Sequence, residues 1–564
     1  MQFNYKFNGS SSVTSTAREV GMSFAPDVFR EPTFFIGKLG KHLPFREAMS
    51  ALHDVVVSDL RFKPKDKTDY KAWAAEQEER WLAEMMAGSA DVKARLSAVN
   101  AELEALRKDK DRIMNPFYTA RREYFQYLYK RDIEAWIVLD PVITVHPDEL
   151  FFECFSRDES SYGRLSCDYN VFKEINEFEC GTTNIDYSPK LYQEFQKIRE
   201  YKETSLNIDP TGFEVKTAAE ADYKEVKIDL PDSWVRGFLQ VSSAMGLPAI
   251  RFDLHPMDMH NFLFVLKRRK EKASPRSMRY RLTPGEPVRV LFEPWNHEIV
   301  CRRSIYTGSD AVEVRVWGRR RLMMLERLIP IARRFTVTLL GTGMPSFYLA
   351  DLGDMTFTLG LSGWTANDWS RQGNFDLLAP RADVDSLTQQ QIYLALRQNW
   401  REDADSLSRR LNLERKTVLG ALSAFTQAGR AIFDLNKQVY RIRELSREAL
   451  PVDRFRFANE REAAAAKLLE RNAVTLAPPT LSDGILSLLG TVKDGDRMYA
   501  PDLAIDADER LSRASCTCNF YQQNKLTKGP CEHILALRMC HGRQTCNLNL
   551  LDTGFTAAHC REKL

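Results

Sequence analysis

Apolar and polar residues follow two different periods along this chain, and the changes of period predict its elements. Short apolar runs of strand length, such as 150–155 and 337–340, predict buried strands. Between about residues 68 and 132, apolar residues recur every three or four positions; these are Leu96, Val99, Leu103, Leu106 and Ile113. This period predicts a helical hairpin or short coiled coil. The hairpin would either pack within the chain or pair with a helix of another subunit.

The segment from about 386 to 445 combines three helical patterns with a hairpin pattern. A helix with Ile392 and Leu396 is followed by a second helix that Asp403 can cap, and a third helix stops at Gly429. Two β-prone stretches, 431–435 and 439–443, come next. Three helices and a hairpin in this order resemble a winged helix.

Winged helices commonly place the third helix in the DNA major groove. The outward face predicted for that helix has few groups that read base edges; its residues are Lys416, Thr417, Gly420, Ala424 and Gln427. We therefore do not expect sequence-specific recognition. Two uses of this domain remain open, namely contact with the phosphate backbone and packing against protein.

Four candidate metal ligands lie close together near the C-terminus, as Cys516-Thr-Cys518 and Cys531-Glu-His533. Residues two apart on an extended strand point to the same face, so Cys516 and Cys518 can reach one ion from a strand end. The second pair follows a Gly-Pro turn and leads into an apolar helix, with His533 in its first turn. Three thiolates and one imidazole suit a tetrahedral Zn²⁺ without an open position, which is a structural rather than a catalytic site.

This pattern, with a β-hairpin before it and a helix after it, resembles the SWIM zinc finger. The resemblance implies a ββα module, zinc bound by the four residues above, and a role in contacting DNA or protein. Three other segments, at 284–287, 317–321 and 359–364, are similar to large bacterial SWIM proteins of undefined activity. Those proteins resemble components encoded beside MoxR-type AAA+ ATPases and von Willebrand A-domain proteins.

The net charge of +3 hides an uneven distribution. Residues 261–335 hold 18 Lys and Arg against 7 Asp and Glu, a surplus of +11, so the rest of the chain carries −8. A local excess of this kind is typical of surfaces that bind polyanions. We predict phosphate contacts from the basic residues of this segment and of the winged-helix pattern: Lys267, Arg268, Arg269, Arg319, Arg320, Arg321, Arg409, Arg410, Lys416, Arg430 and Lys437.

A chain of 564 residues is too long for one hydrophobic core, so we expect an α+β multidomain protein. The predicted domains are an N-terminal α/β piece at 1–67, the helical hairpin or coiled coil at 68–132, an α/β region at 133–230, a basic β-rich domain at 231–380, the winged-helix-like domain at 381–446 and the zinc-finger domain at 455–564. No apolar run is long enough to span a membrane, and six of the ten cysteines follow residue 515, which suits a reduced protein with a metal site. We expect a cytoplasmic protein.

These features favour a zinc-binding, non-enzymatic protein that binds nucleic acid mainly through phosphate contacts. The alternative is an adaptor for protein partners, such as a MoxR-type AAA+ ATPase and von Willebrand A-domain system. An enzyme is the least favoured class, because no set of acid, base and nucleophile emerges from the motifs. The oligomeric state and the choice between DNA and RNA remain open.

Overall fold

A computed structural model describes the greater part of the chain. The described residues are 12–15, 19–24, 33–58, 99–105, 142–184, 192, 195–201, 203–208, 232–270, 276–363, 368–369, 375–379, 384–445, 460–482, 485–506 and 511–553. Two compact units divide the chain, one formed by Met1–Asp59 and Leu139–Leu564 and the other by Leu60–Val138. In the second unit, residues 99–105 are helical and exposed. The rest of the predicted hairpin or coiled coil lies outside the described residues.

A five-stranded sheet contains the first strands of the chain. Its strands, in spatial order, are β1 (Ser12–Ser15), β2 (Glu19–Phe24), β9 (Glu203–Ile208), β3 (Phe34–Leu39) and β7 (Phe172–Glu179). The pair β2 and β9 is parallel, and the other pairs are antiparallel. The predicted N-terminal α/β piece therefore shares its sheet with strands from the predicted region 133–230.

The largest sheet of the described residues has eight antiparallel strands. In spatial order they are β10 (Ile250–Leu254), β15 (Arg334–Leu339), β16 (Ser346–Asp351), β17 (Met355–Leu361), β6 (Ser161–Asp168), β5 (Glu149–Phe155), β4 (Val142–Val145) and β8 (Gly181–Asn184). One sheet thus crosses the boundary predicted at residue 230. Apolar patterns cannot show this, because β6 and β17 pair across almost 200 residues of sequence.

Both faces of the eight-stranded sheet are covered, which explains the nearly continuous apolar run in β5. Helix α1 (His42–Val57) packs on one face, where the rings of Phe45 and Phe152 lie 6.5 Å apart. Helix α2 (Asp232–Met245) packs on the other face, where the rings of Phe155 and Phe238 lie 4.7 Å apart. Side chains alternate along the strand, so neighbouring residues of β5 reach different helices.

A four-stranded antiparallel sheet forms most of the segment with surplus positive charge. In spatial order its strands are β13 (His297–Ile305), β12 (Pro287–Phe292), β11 (Ser277–Leu282) and β14 (Val312–Trp317). Helix α3 (Pro256–Arg268) covers its inner face, where the rings of Phe262 and Phe292 lie 5.7 Å apart. The strand pattern predicted around 287–292 is confirmed. The helix predicted to open after Trp317 is a 3-10 helix, Arg319–Leu328.

The three helices and hairpin predicted at 386–445 are present in the predicted order. Helices α4 (Ser386–Asn399), α5 (Ala404–Leu411) and α6 (Arg415–Gln427) precede the hairpin of β19 (Ala431–Asp434) and β20 (Val439–Ile442). As predicted, the Asp403 side chain caps α5 by accepting from the Ser406 N–H at 2.9 Å. A two-residue strand that the sequence did not reveal, β18 (Arg401–Glu402), pairs with β20. The name winged helix for this arrangement stays a prediction.

The C-terminal part is richer in strands than the single hairpin predicted for it. After helix α7 (Glu460–Glu470), its strands are β21 (Val474–Leu476), β22 (Thr480–Ser482), β23 (Ile485–Asp494), β24 (Arg497–Tyr499), β25 (Asp502–Ile505) and β26 (Leu511–Ser515). Two helices follow, α8 (Asn519–Asn524) and α9 (Glu532–Thr553). Throughout the described ranges, every helix is too short or too polar to cross a lipid bilayer.

Candidate metal centre and nucleic-acid interface

The four predicted metal ligands occupy the ends of three elements. Strand β26 ends at Ser515, so Cys516 follows directly, and Cys518 is the N-cap residue of α8. Cys531 immediately precedes α9, and His533 lies in its first turn. The predicted strand end and helical turn are confirmed. The short helix α8, which separates the two pairs, was not predicted.

The four ligand atoms converge at one point. The three sulfur atoms and a ring nitrogen of His533 all lie within 4.8 Å of one another, and all four residues are buried. Backbone N–H groups face the sulfur atoms: Tyr521 donates to Cys518 at 3.4 Å, and the N–H groups of Cys518 and Ile534 hydrogen-bond to Cys516 and Cys531. Such N–H groups stabilise the thiolate form, which is the form that binds metal.

The protonation of the cysteines supports the same chemistry. The hydrogen bond with Cys531 is the largest influence on Cys516, and it helps to lower the pKa of the Cys516 thiol to about 4. The same hydrogen bond, followed by burial, raises the pKa of the Cys531 thiol. These opposite directions fit a proton shared between the two sulfur atoms, as in a thiol hydrogen-bonded to a thiolate. A divalent cation would replace that proton and neutralise the thiolates together.

His533 provides the test of whether a metal fits. Its side chain is only 2% exposed, and neither ring nitrogen makes a hydrogen bond of ordinary geometry within the described residues. Its polar neighbours are the Cys516 sulfur and the carboxylates of Asp494 and Glu532, the latter two at 3.6 and 3.7 Å. These contacts satisfy a buried imidazole poorly, and coordination to a metal would satisfy one nitrogen fully. The Tyr499 ring packs against the imidazole with centroids 4.2 Å apart, which leaves little room for the ring to rotate. Three thiolates and one imidazole around a closed, buried point suit a tetrahedral structural ion.

Two arginines from outside the ligand motif hold the metal-binding elements in place. Arg461 of α7 donates to the carbonyl oxygens of Lys528 and Pro530 at 2.8 and 2.9 Å, directly before Cys531. Arg538 of α9 donates to the carbonyl of Leu377 at 3.1 Å. Sequence reasoning missed both, because an arginine that binds backbone carbonyls has no characteristic motif. The Ala-rich helix α7 was predicted, but its role in supporting the ligand loop was not.

The predicted phosphate-binding residues fall into different environments, and the structure excludes two of them from a contact surface. Arg319 and Arg321 are buried, with 4% and 1% of their surface exposed. The Arg319 guanidinium donates to the carbonyl of Ser277 at 2.6 Å, and Arg321 donates to the carbonyl of Gly363 at 2.8 Å. The prediction that these two arginines bind phosphate is therefore wrong for this structure. Their physical role is to satisfy backbone carbonyls where loops meet.

Most arginines on the outer face of the four-stranded sheet are paired with glutamates. Arg279 lies 2.7 Å from both Glu293 and Glu313, and Arg315 lies 2.5 Å from Glu293. Two further arginines, Arg281 and Arg289, pair with Glu298 and Glu313 at 2.9 to 3.6 Å. Register sets Arg281 opposite Glu313, but it also sets Arg279 opposite Arg315 and Arg281 opposite Arg289. The neighbouring glutamates offset the repulsion between these like charges. These glutamates are already counted in the net surplus of +11, so that surplus lies on the remaining basic residues of the segment.

The hairpin of β19 and β20 is docked on the eight-stranded sheet through buried charges. Lys437, in the turn of the hairpin, lies 2.9 Å from Glu149 and 2.6 Å from Asp168. Arg441 of β20 is fully buried and lies 2.8 Å from Asp148, which precedes β5, and 3.2 Å from Glu149 of β5. The tip of a wing that binds DNA must be free to reach the backbone. The prediction that Lys437 contacts phosphate therefore does not fit this structure.

The other basic residues of this domain have mainly local contacts. Arg410 pairs with Glu402, and Arg430 stacks over the Tyr393 ring at 3.6 Å. Arg409 and Lys416 remain exposed, although Lys416 lies 3.1 Å from Glu414. Of this group, Arg409 and Lys416 are the most accessible to a polyanion.

The third helix of the domain, α6, is covered rather than exposed. Its residues from Val418 to Phe425 are buried except for Ala424, which is half-buried. Helix α2 packs against it, and the Gln427 side chain donates to the carbonyl of Asp376 at 3.4 Å. Of the five residues predicted to point outward, Lys416 is exposed, Gly420 is buried, and Thr417, Ala424 and Gln427 are half-buried. Most of that face therefore packs within the protein. Of the two uses left open for this domain, the structure favours packing.

A cluster of basic residues remains exposed where α3 ends. Lys267, Arg268, Arg269 and Lys270 are consecutive, and all four are exposed. The Arg268 guanidinium lies 4.4 Å from the centre of the exposed Phe264 ring. Among the described residues Lys267 pairs with Glu326, whereas no ion pair joins Arg268 or Arg269 to a carboxylate.

A second aromatic ring belongs to the same cluster. The half-buried Trp295 lies beneath Arg269, 5.8 Å from its guanidinium, and also beneath Arg319, at 4.4 Å. Arg320 follows Arg319 in the chain and is exposed. We call Phe264, Trp295 and the run Lys267–Lys270 the basic–aromatic surface. The sequence predicted its basic residues, but the two rings could be placed beside them only by the tertiary structure.

Comparison with known proteins gives one family match. The SWIM zinc finger family model matches residues 499–537, which include all four predicted ligands. The match spans β24 to the first turns of α9. Comparison with curated proteins gives no match.

Solved structures similar to parts of this chain include sliding clamps. One is the structure described as the C-terminal region of FEN-1 bound to A. fulgidus PCNA, with 13% identity, 41% of this chain covered, 91% of that chain covered and a TM-score of 0.26. A second is Proliferating Cellular Nuclear Antigen from Entamoeba histolytica, with 10% identity, 40% and 89% covered and a TM-score of 0.26. A third is the DNA polymerase sliding clamp from Bacillus subtilis, with 11% identity, 39% and 55% covered and a TM-score of 0.27. Such low TM-scores carry no inference about this protein.

Proposed function

We propose, from the premise that residues 499–537 are a SWIM zinc finger, that this protein binds nucleic acid without catalysing a reaction on it. The zinc ion, held by Cys516, Cys518, Cys531 and His533, would have a structural role. The contacts to nucleic acid would come mainly from basic side chains that approach phosphate groups. A cytoplasmic location, expected from the sequence, stays a prediction.

The observation that carries this proposal is the basic–aromatic surface. Its arginines are exposed and are not paired with carboxylates of the described residues, unlike those of the sheet face. Phosphate attracts such groups strongly, and the release of counterions from the polyanion drives the association. Arginine also offers a planar fork of donors that matches phosphate oxygens.

The winged-helix-like domain has a different place in this proposal. Its third helix is covered by α2, and its hairpin is held on the eight-stranded sheet by the buried pair of Arg441 and Glu149, so we assign it a packing role. Zinc would not contact the nucleic acid either, because its four ligands are buried and leave no open coordination position. Binding through phosphates alone implies weak dependence on base sequence.

The test is a salt titration with paired variants. Replacing Arg268 and Arg269 by Ala should weaken binding to nucleic acid at every salt concentration. It should also reduce the slope of log K against log salt by about one per lost phosphate contact. Fluorescence anisotropy with a labelled oligonucleotide measures both quantities.

The matched control replaces the exposed Arg409 and Lys416 by Ala. This variant removes positive charge from the winged-helix-like domain and should leave the slope unchanged. Equal losses in the two variants would show that only total charge matters. No binding by the wild-type protein at low salt would exclude the proposal.

A second candidate function is an adaptor for protein partners, such as the AAA+ ATPase system suggested by the resemblance. One observation favours it: Ile485 and Leu489 of β23 and Met498 of β24 project from the same face and are 42%, 53% and 61% exposed. An ATPase that copurifies in a fixed ratio with the wild-type protein, but not with a Leu489→Lys variant, would support the adaptor. Equal recovery with both would argue against this face.

A further inference from the structure

Helix α3 carries an aromatic side chain on its outer face that the hydrophobic core does not need. The inner face of the helix already buries Phe262, Leu263 and Leu266, whereas Phe264 points away and is 47% exposed. One turn away along this outer face lie the polar residues His260 and Arg268, so a large exposed ring departs from the amphipathic pattern of the helix.

The neighbours of Phe264 on the helix are arranged around its ring. His260, one turn earlier, has its ring centre 6.4 Å away at an interplanar angle of 33°. Arg268, one turn later, has its guanidinium 4.4 Å from the ring centre. Residues four apart on a helix lie on the same face, so the three side chains form one stripe of flat groups.

Trp295 repeats this arrangement nearby. Its ring is half-buried and lies beneath the guanidinium groups of Arg269 and Arg319. Arg319 is fixed in that position because it also donates to the backbone carbonyl of Ser277. Two aromatic rings, each beside an arginine, therefore belong to one exposed basic cluster.

Flat rings next to unpaired positive charge have a specific chemical use. Unpaired bases stack on aromatic side chains and on guanidinium planes, while lysine and arginine hold the phosphates between them. In an undistorted duplex the bases are stacked on each other and their faces are inaccessible, so a surface ring cannot stack on a base there.

We infer that the basic–aromatic surface binds single-stranded nucleic acid, with a base stacked on Phe264 and the adjacent phosphates held by Arg268, Arg269 and Lys270. This inference rests on the proposed function and names its substrate class. Stacking is tolerant of base identity, which agrees with the absence of a base-reading helix. The same chemistry suits single-stranded DNA and single-stranded RNA.

The experiment compares four polyanions on the full-length protein at several salt concentrations. The probes are labelled oligo(dT) and oligo(U) of about 20 nucleotides, longer than the usual site of one small binding surface. A duplex of mixed sequence is the third probe, and heparin, which has charge but no bases, is the competitor. We expect at least one of the two single strands to bind about 10-fold more tightly than the duplex. A preference for oligo(dT) or for oligo(U) shows whether the protein binds single-stranded DNA or single-stranded RNA.

Variants at one helix position separate stacking from charge. Phe264→Leu keeps an apolar side chain but removes the flat ring, so it should weaken single-strand binding about 10-fold without changing the salt slope. Phe264→Trp should restore binding. Met257→Ala is the matched control, because Met257 lies two turns earlier on the same helix and is 45% exposed; its affinity should stay within about twofold of the wild type. Thermal melts check that each variant is folded.

The outcomes distinguish this inference from the proposed function. Equal affinity for duplex and single strands, or equal effects of Phe264→Leu and Met257→Ala, would overturn the inference and leave phosphate binding intact. Competition by heparin at the same charge concentration as oligo(dT) would also overturn it, because bases would then add nothing. Absence of binding to every probe at low salt would remove both.

Discussion

The metal centre and the docked hairpin both bury polar groups, but they assemble them from very different distances along the chain. The four metal ligands lie between residues 516 and 533. The hairpin interface joins β20 to strands almost 300 residues earlier, as in the pair of Arg441 and Asp148 at 2.8 Å. The first site is therefore visible as a motif, whereas the second site is visible only in the folded protein.

The two regions also differ in how the buried charge is compensated. At the metal centre a bound cation would neutralise several thiolates at once. At the hairpin, Arg441 lies 2.8 Å from Asp434 and 3.2 Å from Glu149, and Arg164 lies 2.9 Å from Glu149. These ions neutralise each other, so the loss of one partner leaves the others buried and unpaired. Stability should therefore depend on zinc in one region and on pH and side-chain pairing in the other.

The largest effect is expected from removing the metal. Cys531→Ser, or a strong chelator, should abolish stoichiometric zinc and disorder residues 511–537, because metal binding contributes roughly 10 to 16 kcal/mol in isolated zinc-finger modules. Elemental analysis and hydrogen exchange measure the two effects.

The matched control is Cys540→Ser, which changes a cysteine of α9 that is not among the predicted ligands. It should retain one zinc ion per chain and the protection of the module. Unchanged hydrogen exchange after complete zinc removal would show that the module is held by its apolar contacts alone.

A smaller but still large effect is expected at the hairpin. Arg441→Ala leaves Asp434, Asp148 and Glu149 without their shared partner and should lower the free energy of unfolding by about 3 to 5 kcal/mol. Urea denaturation at neutral pH measures this change. The control is Arg401→Ala: Arg401 lies 3.2 Å from Asp148 but is 43% exposed, so its loss should cost less than about 1 kcal/mol. Similar losses in both variants would contradict a buried network.

Two consecutive arginines sharpen the contrast between buried and exposed charge. Arg321→Ala removes donors to the carbonyl of Gly363 and the hydroxyl of Ser362, and should destabilise the protein by about 2 to 3 kcal/mol. Arg320→Ala changes an exposed side chain and should alter stability by less than about 0.5 kcal/mol. Thermal denaturation of both variants makes the comparison. A larger loss for Arg320→Ala would contradict the assignment of these two positions.

The smallest effect concerns pH. Burial, followed by the positive charge of Arg441, lowers the pKa of His146 to about 3, while the ring donates to the carbonyl of Ile442. An unfolded histidine titrates near 6.5, so the unfolded state binds the proton first. Stability due to neutral His146 is therefore complete above about pH 6.5 and declines as the pH falls towards 3. Between pH 7 and 5 the loss should be about 1 to 2 kcal/mol.

The variant His146→Gln isolates this contribution. Urea denaturation at pH 7 and pH 5 should show a smaller loss in the variant than in the wild type. Two neighbouring carboxyl groups have different effects from His146. Burial alone would raise the pKa of Asp148, but its arginine and lysine partners lower it. The stability that ionised Asp148 contributes is therefore lost only in stronger acid. Burial raises the pKa of Glu149, and its protonation would oppose the decline. Equal losses in variant and wild type would exclude His146 as the source.

Local patterns were sufficient for the features that depend on neighbouring residues. The helices and hairpin at 386–445, the strand run in β5 and the two halves of the metal site follow from side-chain period, capping and turn residues. Each of these depends on interactions within about a dozen residues, where the spacing of residue types limits the geometry.

The tertiary structure alone decided which charged residues remain available. Arg320 and Arg321 are adjacent and chemically identical, yet one is exposed and the other is buried against loops that end distant strands. Lys437 was predicted from its position in a hairpin turn, but β5 and β6 place carboxylates beside it. The sequence by itself determined the ligand set, the main elements and the charge surplus. Long-range strand pairing decided which basic residues are exposed and which are buried or paired, because their neighbours in the fold are remote in sequence.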